Sequence, residues 1–148
     1  MQNTLSKKLT WLYGIAATLS LIGLGDALYL TIQHLTGHSV RCSITSGCSQ
    51  VLSSSYAQIA GVPTAALGVA AYFTVFSLAT LVLFGYGWAR TMLALVVACM
   101  FAATLWLLYL QAFVLRAFCQ YCLLSAAVTI TLTIIVLLAR QKAVDDQP

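Results

Sequence analysis

The chain has 148 residues, of which 61% are hydrophobic and only 7% are charged, and its mean hydropathy is +0.96. Water-soluble domains carry about 25% charged residues, so this composition excludes an ordinary soluble domain and predicts a single integral membrane domain. The net charge of +4 is small, and the basic residues form no stripe, which argues against nucleic acid as a partner.

Four apolar stretches are long enough to cross a lipid bilayer, because a spanning helix needs about 20 such residues. Backbone groups in lipid must be satisfied internally, so each stretch is predicted to be a helix. Short connections favour an all-α membrane protein built as a four-transmembrane-helix bundle. The predicted spans are residues 9–32, 63–84, 91–114 and 119–139, and residues 33–62 are predicted to form an external redox loop.

The basic residues predict the orientation of these spans, since cytoplasmic loops carry an excess of Lys and Arg. With the N-terminus inside, five basic residues are cytoplasmic and two are external. The five are Lys7, Lys8, Arg90, Arg140 and Lys142, and the two are Arg41 and Arg116. Both termini are therefore expected to be cytoplasmic. The cysteines of the loops then face the periplasm, an oxidising compartment in which disulfides persist.

One cysteine pair opens the fourth span in the run Cys119-Gln120-Tyr121-Cys122. A helix N-terminus carries partial positive charge, which stabilises a thiolate at Cys119. Cys122 lies one turn deeper. We expect Cys119 to be exposed and to exchange disulfides, and Cys122 to meet a membrane-soluble reactant. The same spacing is compatible with half of a zinc site or with a structural pair.

The second pair, Cys42 and Cys48, lies in the polar external loop. Three interpretations stay open for it: a structural staple of the loop, a zinc site formed with the other pair, or a shuttle that reaches across to Cys119. The third needs a thiolate to approach a disulfide sulfur, and a loop supplies that motion. The fifth cysteine, Cys99, lies mid-span among apolar residues and is expected simply to pack there.

Asp26 is an acidic residue within the first span. Ionisable groups inside a membrane are costly and often functional. Its position near the external end favours an interfacial or structural pairing over proton handling.

Together these pieces resemble the vitamin K epoxide reductase family in its short bacterial form, which lacks a fused thioredoxin-like domain. The resemblance is carried by the two cysteine pairs and by four further pieces. These are the run Cys48-Ser49-Gln50-Val51-Leu52-Ser53-Ser54, Gly61-Val62-Pro63, Gly68 and Tyr72. The disulfide bond formation protein B type has the two pairs in the reverse order, which argues against that family.

The resemblance implies a relay to a membrane quinone, ubiquinone or menaquinone. Cys42 would exchange with a separate periplasmic thioredoxin-like protein, Cys48 would pass the electrons to Cys119, and Cys122 would face the quinone.

The resemblance also implies two further residues of the quinone site and a half-helix before the second span. Ser54 matches the family serine that forms a hydrogen bond near the external end of the bundle, and Thr64 falls where animal relatives use a polar amide to bind the quinone. The apolar side of the half-helix would consist of Val51, Leu52, Tyr56 and Ile59.

The sequence therefore predicts a membrane thiol oxidoreductase that makes disulfides from the bacterial cytoplasmic (inner) membrane. Two alternatives remain at this point. One is reduction of quinone or vitamin K epoxide as the purpose of the relay, and the other is a non-catalytic four-helix protein with structural disulfides.

Overall fold

The structure, a computed structural model, describes residues 6–146 and confirms the predicted fold class. Four of its helices are long and apolar enough to cross a membrane, which makes this a multi-pass membrane protein. In chain order the elements are α1 (Lys7–Leu35), α2 (Cys48–Leu52), a 3-10 turn (Ser55–Ala57), β1 (Gln58–Ile59), β2 (Val62–Pro63), α3 (Thr64–Leu83), α4 (Gly87–Tyr109), a π-helical segment (Leu110–Val114) and α5 (Gln120–Asp145).

The four long helices form a closed ring in which α1 and α4 each pack against both α3 and α5. Small residues let α1 and α3 approach closely. A Cβ added at Gly23 would collide with the ring of Tyr72, and one added at Gly68 would contact Ala27. The Tyr72 hydroxyl then crosses the bundle to α5, where it forms hydrogen bonds with Ser125 and Thr129.

Two apolar cores fill the bundle, one toward the chain termini and one at the opposite end, called the external core after its predicted orientation. The larger core includes Tyr13, Ala16, Val75, Leu93, Leu132 and Ala139. The smaller core consists of Leu30, Val40, Cys48, Val51, Ala117 and Cys119. Large apolar side chains elsewhere, such as Trp11, Phe73 and Leu137, are exposed on the outside, as expected of a surface that faces lipid.

The loop between α1 and α3, which was predicted to be external, contains the expected partial helix in two short pieces. Helix α2 begins at Cys48, and a 3-10 turn and a β-hairpin follow it before α3. Ala60 and Gly61 both have positive φ at the tip of this hairpin, as a two-residue turn between twisted strands requires. The loop therefore returns to the bundle as an ordered segment.

The end of α4 changes to π-helical geometry before the chain reverses into α5. The Leu115 N–H donates to the Leu110 carbonyl oxygen, 2.8 Å away, and Arg116 then adopts a left-handed conformation with φ of 49°. π-Helical turns are rare in proteins, and those that occur are often found at functional sites. This one positions the residues that precede Cys119.

Candidate redox centre

The loop cysteines, Cys42 and Cys48, form a disulfide, with their Cα atoms 5.7 Å apart. Cys48 is the first residue of α2 and is 1% exposed, whereas Cys42 is only partly buried. The Thr45 hydroxyl donates to the Cys42 sulfur at 3.2 Å. The more accessible sulfur of the disulfide is thus Cys42.

The second pair, Cys119 and Cys122, consists of free thiols at the start of α5, where Cys119 is the N-cap residue. The prediction that this motif begins a helix is confirmed. The prediction that Cys119 is exposed is wrong, because its accessible fraction is 0%. The external loop packs over it, and the sequence alone gave no indication of this cover.

All four of these cysteines meet in the external core. Cys48 and Cys119 are buried members of that cluster, and Cys42 and Cys122 pack against it. Residues more than 70 positions apart in the chain are therefore brought together above the bundle. Disulfide exchange between the pairs requires that they lie in one place, as they do here.

Gln120 attaches the loop to the start of α5. Its side-chain oxygen accepts hydrogen bonds from the backbone N–H of Ser43 at 3.1 Å and of Ile44 at 2.9 Å. These two residues directly follow Cys42. The amide between the two cysteines of the C-x-x-C motif therefore fixes the backbone beside the other pair.

The loop also lies directly against the turn that precedes Cys119. A Cβ at Gly47 would come within 2.7 Å of the Phe118 carbonyl oxygen and 2.8 Å of its backbone nitrogen. Beside this contact, the Gln50 amide donates to the Leu115 carbonyl oxygen at 3.4 Å. Only glycine lets Cys48 dock so closely to this segment.

Gln111 lies in the π-helical segment, is 3% exposed and forms a hydrogen bond with the backbone of Cys119. Its side-chain oxygen accepts the Cys119 backbone N–H at 3.1 Å. Because an N–H can only donate, the amide oxygen must face Cys119 and the amide nitrogen must point away. Gln111 also lines the cavity beneath, so one amide joins Cys119 to that cavity.

Hydrogen bonding favours a thiolate at Cys119. A hydrogen bond from the Cys122 thiol, helped by backbone N–H groups of the first turn of α5, lowers the pKa of Cys119 to about 7. Burial and the negative charge of Asp26 oppose this lowering. The first turn of the helix therefore contributes as expected, and Cys122 contributes most.

A cavity of about 420 Å³ lies between the two cores, and its lining is mainly apolar. Its size and lining are typical of a small-molecule site and suit the ring of a quinone. Cys122 is the only one of the four clustered cysteines that lines it, together with Ser54 and Thr64. The four residues expected on the half-helix, Val51, Leu52, Tyr56 and Ile59, line it as well.

The polar residues Ser54 and Thr64 are tied to the loop in the structure. Ser54 donates to the Val51 carbonyl oxygen at 2.7 Å, and Thr64 donates to the Tyr56 carbonyl oxygen at 3.3 Å. Both residues also line the cavity. Cys99 is exposed and lines the same cavity, so it is not buried as its apolar neighbours suggested.

Within residues 6–146 no group of three or more His, Cys, Asp or Glu side chains is arranged to hold a metal ion. The structure thus offers no support for the four-cysteine zinc alternative. The residues that sequence reasoning missed are Gln111, Gln120 and Gly47. A single amide in an otherwise apolar helix was the available signal for Gln111, but nothing in the sequence distinguishes Gly47 from other loop glycines.

Comparison with known protein families agrees with this geometry. Residues 14–137 of the chain match the vitamin K epoxide reductase family. The match covers nearly the whole chain, and the resemblance inferred from the cysteine motifs is confirmed. The protein belongs to the vitamin K epoxide reductase family and is a membrane oxidoreductase of the kind whose members use quinones.

Proposed function

We propose that this protein is a quinone-dependent thiol-disulfide oxidoreductase, which generates disulfides with electrons flowing from a periplasmic thioredoxin-like protein to a membrane quinone. The observation that supports it most is the cluster of four cysteines, of which Cys42 is accessible from outside and Cys122 lines the cavity. The cluster therefore has one end toward a protein substrate and one toward a lipid-soluble one.

The relay begins at the loop disulfide. A thiolate of the reduced partner attacks Cys42, and the mixed disulfide resolves to give an oxidised partner and two loop thiols. The Cys48 thiolate then attacks Cys119 of an oxidised Cys119–Cys122 pair, which releases Cys122 as a thiolate. Cys42 attacks Cys48 in turn and releases Cys119.

The release of Cys119 is favoured by its lowered pKa, because thiols of low pKa are better leaving groups. The pair Cys119 and Cys122 is then a dithiol, as in the structure, while the loop disulfide is ready for the next partner. The dithiol and the quinone finally give a disulfide and a hydroquinone, with two electrons and two protons transferred.

In this proposal Cys122 is the cysteine that reacts with ubiquinone or menaquinone in the cavity. Ser54 and Thr64 lie at its wall, where each hydroxyl oxygen can accept a hydrogen bond from the hydroquinone, or can turn from its present loop carbonyl acceptor to donate to the quinone. The mainly apolar lining limits access of water to the reacting groups.

The proposed location is the bacterial cytoplasmic membrane, with both termini in the cytoplasm and the cysteine cluster in the periplasm. The basic residues at the start of α1 and the end of α5 support this orientation, as both lie at the end of the bundle opposite the cysteines. The periplasm is also the compartment where a new disulfide persists.

The test is a coupled assay with purified protein, a reduced thioredoxin-like donor and either quinone. We expect quinone-dependent oxidation of the donor, abolished by Ala substitution of any of the four clustered cysteines. In a Cys42→Ser, Cys122→Ser double variant, the two remaining thiols of the cluster, Cys48 and Cys119, should form a disulfide with each other. Cys99→Ala, which removes a thiol outside the cluster, should retain exchange between the pairs.

Three results would contradict the proposal. The first is unaltered activity in the Cys119→Ala or Cys122→Ala variant, which would indicate that these cysteines are structural only. The second is failure of the Cys48–Cys119 disulfide to form in the double variant. The third is quinone or quinone-epoxide reduction that uses small thiols well but no protein donor, which would favour the reductive alternative.

A further inference from the structure

Asp26 is a carboxylic acid at the wall of the proposed quinone site, and one of its oxygens has no hydrogen-bond partner within residues 6–146. Its side chain lines the cavity, and the Oδ2 atom is buried with no partner among the residues the structure describes. No lysine or arginine lines the cavity with it. Among the residues that the structure describes, Oδ2 thus has no partner of the kind that a structural pairing would supply.

An unpaired carboxyl group in such a place is costly, since buried polar groups are normally hydrogen-bonded. Ionisable residues within a membrane span are therefore functional candidates. Asp26 is also close enough to the reacting sulfurs for its charge to oppose the hydrogen bond from Cys122 that lowers the pKa of Cys119. Asp26 and Cys122 line the same cavity, in which the quinone is proposed to bind.

We propose that Asp26 transfers a proton from the Cys119–Cys122 dithiol to the quinone oxygen. This inference depends on the proposed function. As two electrons leave the sulfurs and the S–S bond forms, two thiol protons must reach the two quinone oxygens. Asp26 accepts one of them on its free oxygen and donates it to the quinone, and so returns to its initial state.

The other proton-bearing groups of the cavity are less suited to this transfer. The Tyr72 hydroxyl is engaged with Ser125 and Thr129, and the His34 ring is 2.8 Å from the Gln58 amide. His34 also lies eight residues beyond Asp26, about 12 Å along the helix axis at 1.5 Å per residue. Asp26 alone combines a free oxygen with electrostatic contact to the dithiol.

The experiment follows single-turnover oxidation of the reduced enzyme by ubiquinone-1, in H₂O and D₂O. Asp26→Asn keeps the shape but cannot carry a proton, and we expect a rate about 10²–10⁴-fold lower, the range of general acid-base catalysis. Asp26→Glu should recover much of the rate. Asp145→Asn removes a carboxylate from the far end of α5 and should leave the rate unchanged.

Two further measurements separate proton transfer from a structural role. Trp106 lines the cavity, so quenching of its fluorescence measures quinone binding. The rate of disulfide exchange between the two cysteine pairs, measured without quinone, shows whether the cysteine cluster is intact. Both should be preserved in Asp26→Asn, and the solvent isotope effect should change. Wild-type rates in Asp26→Asn, or a loss explained entirely by weaker binding or impaired exchange, would overturn the inference.

A wild-type enzyme that exchanges disulfides but never reduces quinone would instead contradict the proposed function, and this inference with it. An active wild type with an unaffected Asp26→Asn variant contradicts the inference alone.

Discussion

The Gln120 side chain offers the sharpest test of how the loop is held over the second cysteine pair. Replacement by Met keeps the length of the side chain and removes the oxygen that accepts the N–H groups of Ser43 and Ile44. The site is partly exposed, so water can solvate the freed N–H groups and no buried donor is left unsatisfied.

The expected size of the effect follows from these two hydrogen bonds. Each contributes about 0.5–1.5 kcal/mol net, and partial exposure favours the lower half of that range. A combined loss of about 1–2 kcal/mol would shift the equilibrium between docked and undocked loop by about 5- to 30-fold.

The assay is the Cys48–Cys119 disulfide in a Cys42→Ser, Cys122→Ser background, equilibrated with glutathione buffers of graded ratio. Its formation constant reports how often the loop places Cys48 beside Cys119. Gln120→Met should lower this constant by about 5- to 30-fold, as calculated above from two hydrogen bonds. Gln120→Glu retains an acceptor and should recover most of the loss.

Gln141→Met, the same change on the exposed far end of α5, serves as the control. An unaltered constant in Gln120→Met would refute the assigned role, and so would an equal loss in Gln120→Glu. The first result would mean that the other contacts of the loop dock it without Gln120, and the second that its role does not depend on an acceptor oxygen.

Three further predictions concern the site and its support. The backbone φ of Gly47, −94°, is compatible with alanine, but the added Cβ of Gly47→Ala would meet Phe118. This change should displace the loop and speed labelling of the buried Cys119. Gly14→Ala, where the added Cβ meets open space, should not. Tyr72→Phe removes the link to α5 and should lower the free energy of unfolding by about 1–3 kcal/mol, measured in detergent by thermal or denaturant titration. The rate of Cys119 alkylation should increase with a midpoint near pH 7, because the thiolate predominates above its pKa of about 7. Cys122→Ala should move this midpoint to higher pH. An unmoved midpoint would contradict the hydrogen bond assigned to Cys122.

The bundle was predictable because its signal is spread over long stretches of chain. Each span needs only length and apolar composition, and small errors at an end do not change the fold. The predicted and observed ends of α1 differ by a few residues for this reason. The cysteine motifs were equally readable, since reactive sulfur is rare and its spacing is informative.

The arrangement of the external loop was not predictable in the same way. It depends on single contacts, such as a glycine against a carbonyl group or one amide oxygen shared by two N–H groups. Such contacts join positions about 70 residues apart, and no local pattern records them. The burial of Cys119 follows from these contacts, which is why sequence reasoning predicted it to be exposed.

That burial gives the proposed relay its order. A thiol with a pKa near 7 is reactive at physiological pH, and an exposed one would exchange with any disulfide or oxidant in the periplasm. Here Cys119 is covered by the segment that carries its proposed partner, Cys48, while the accessible sulfur is the remote one, Cys42. In the proposed relay a protein substrate would therefore meet the loop disulfide first, and electrons would reach the cavity only through the docked loop.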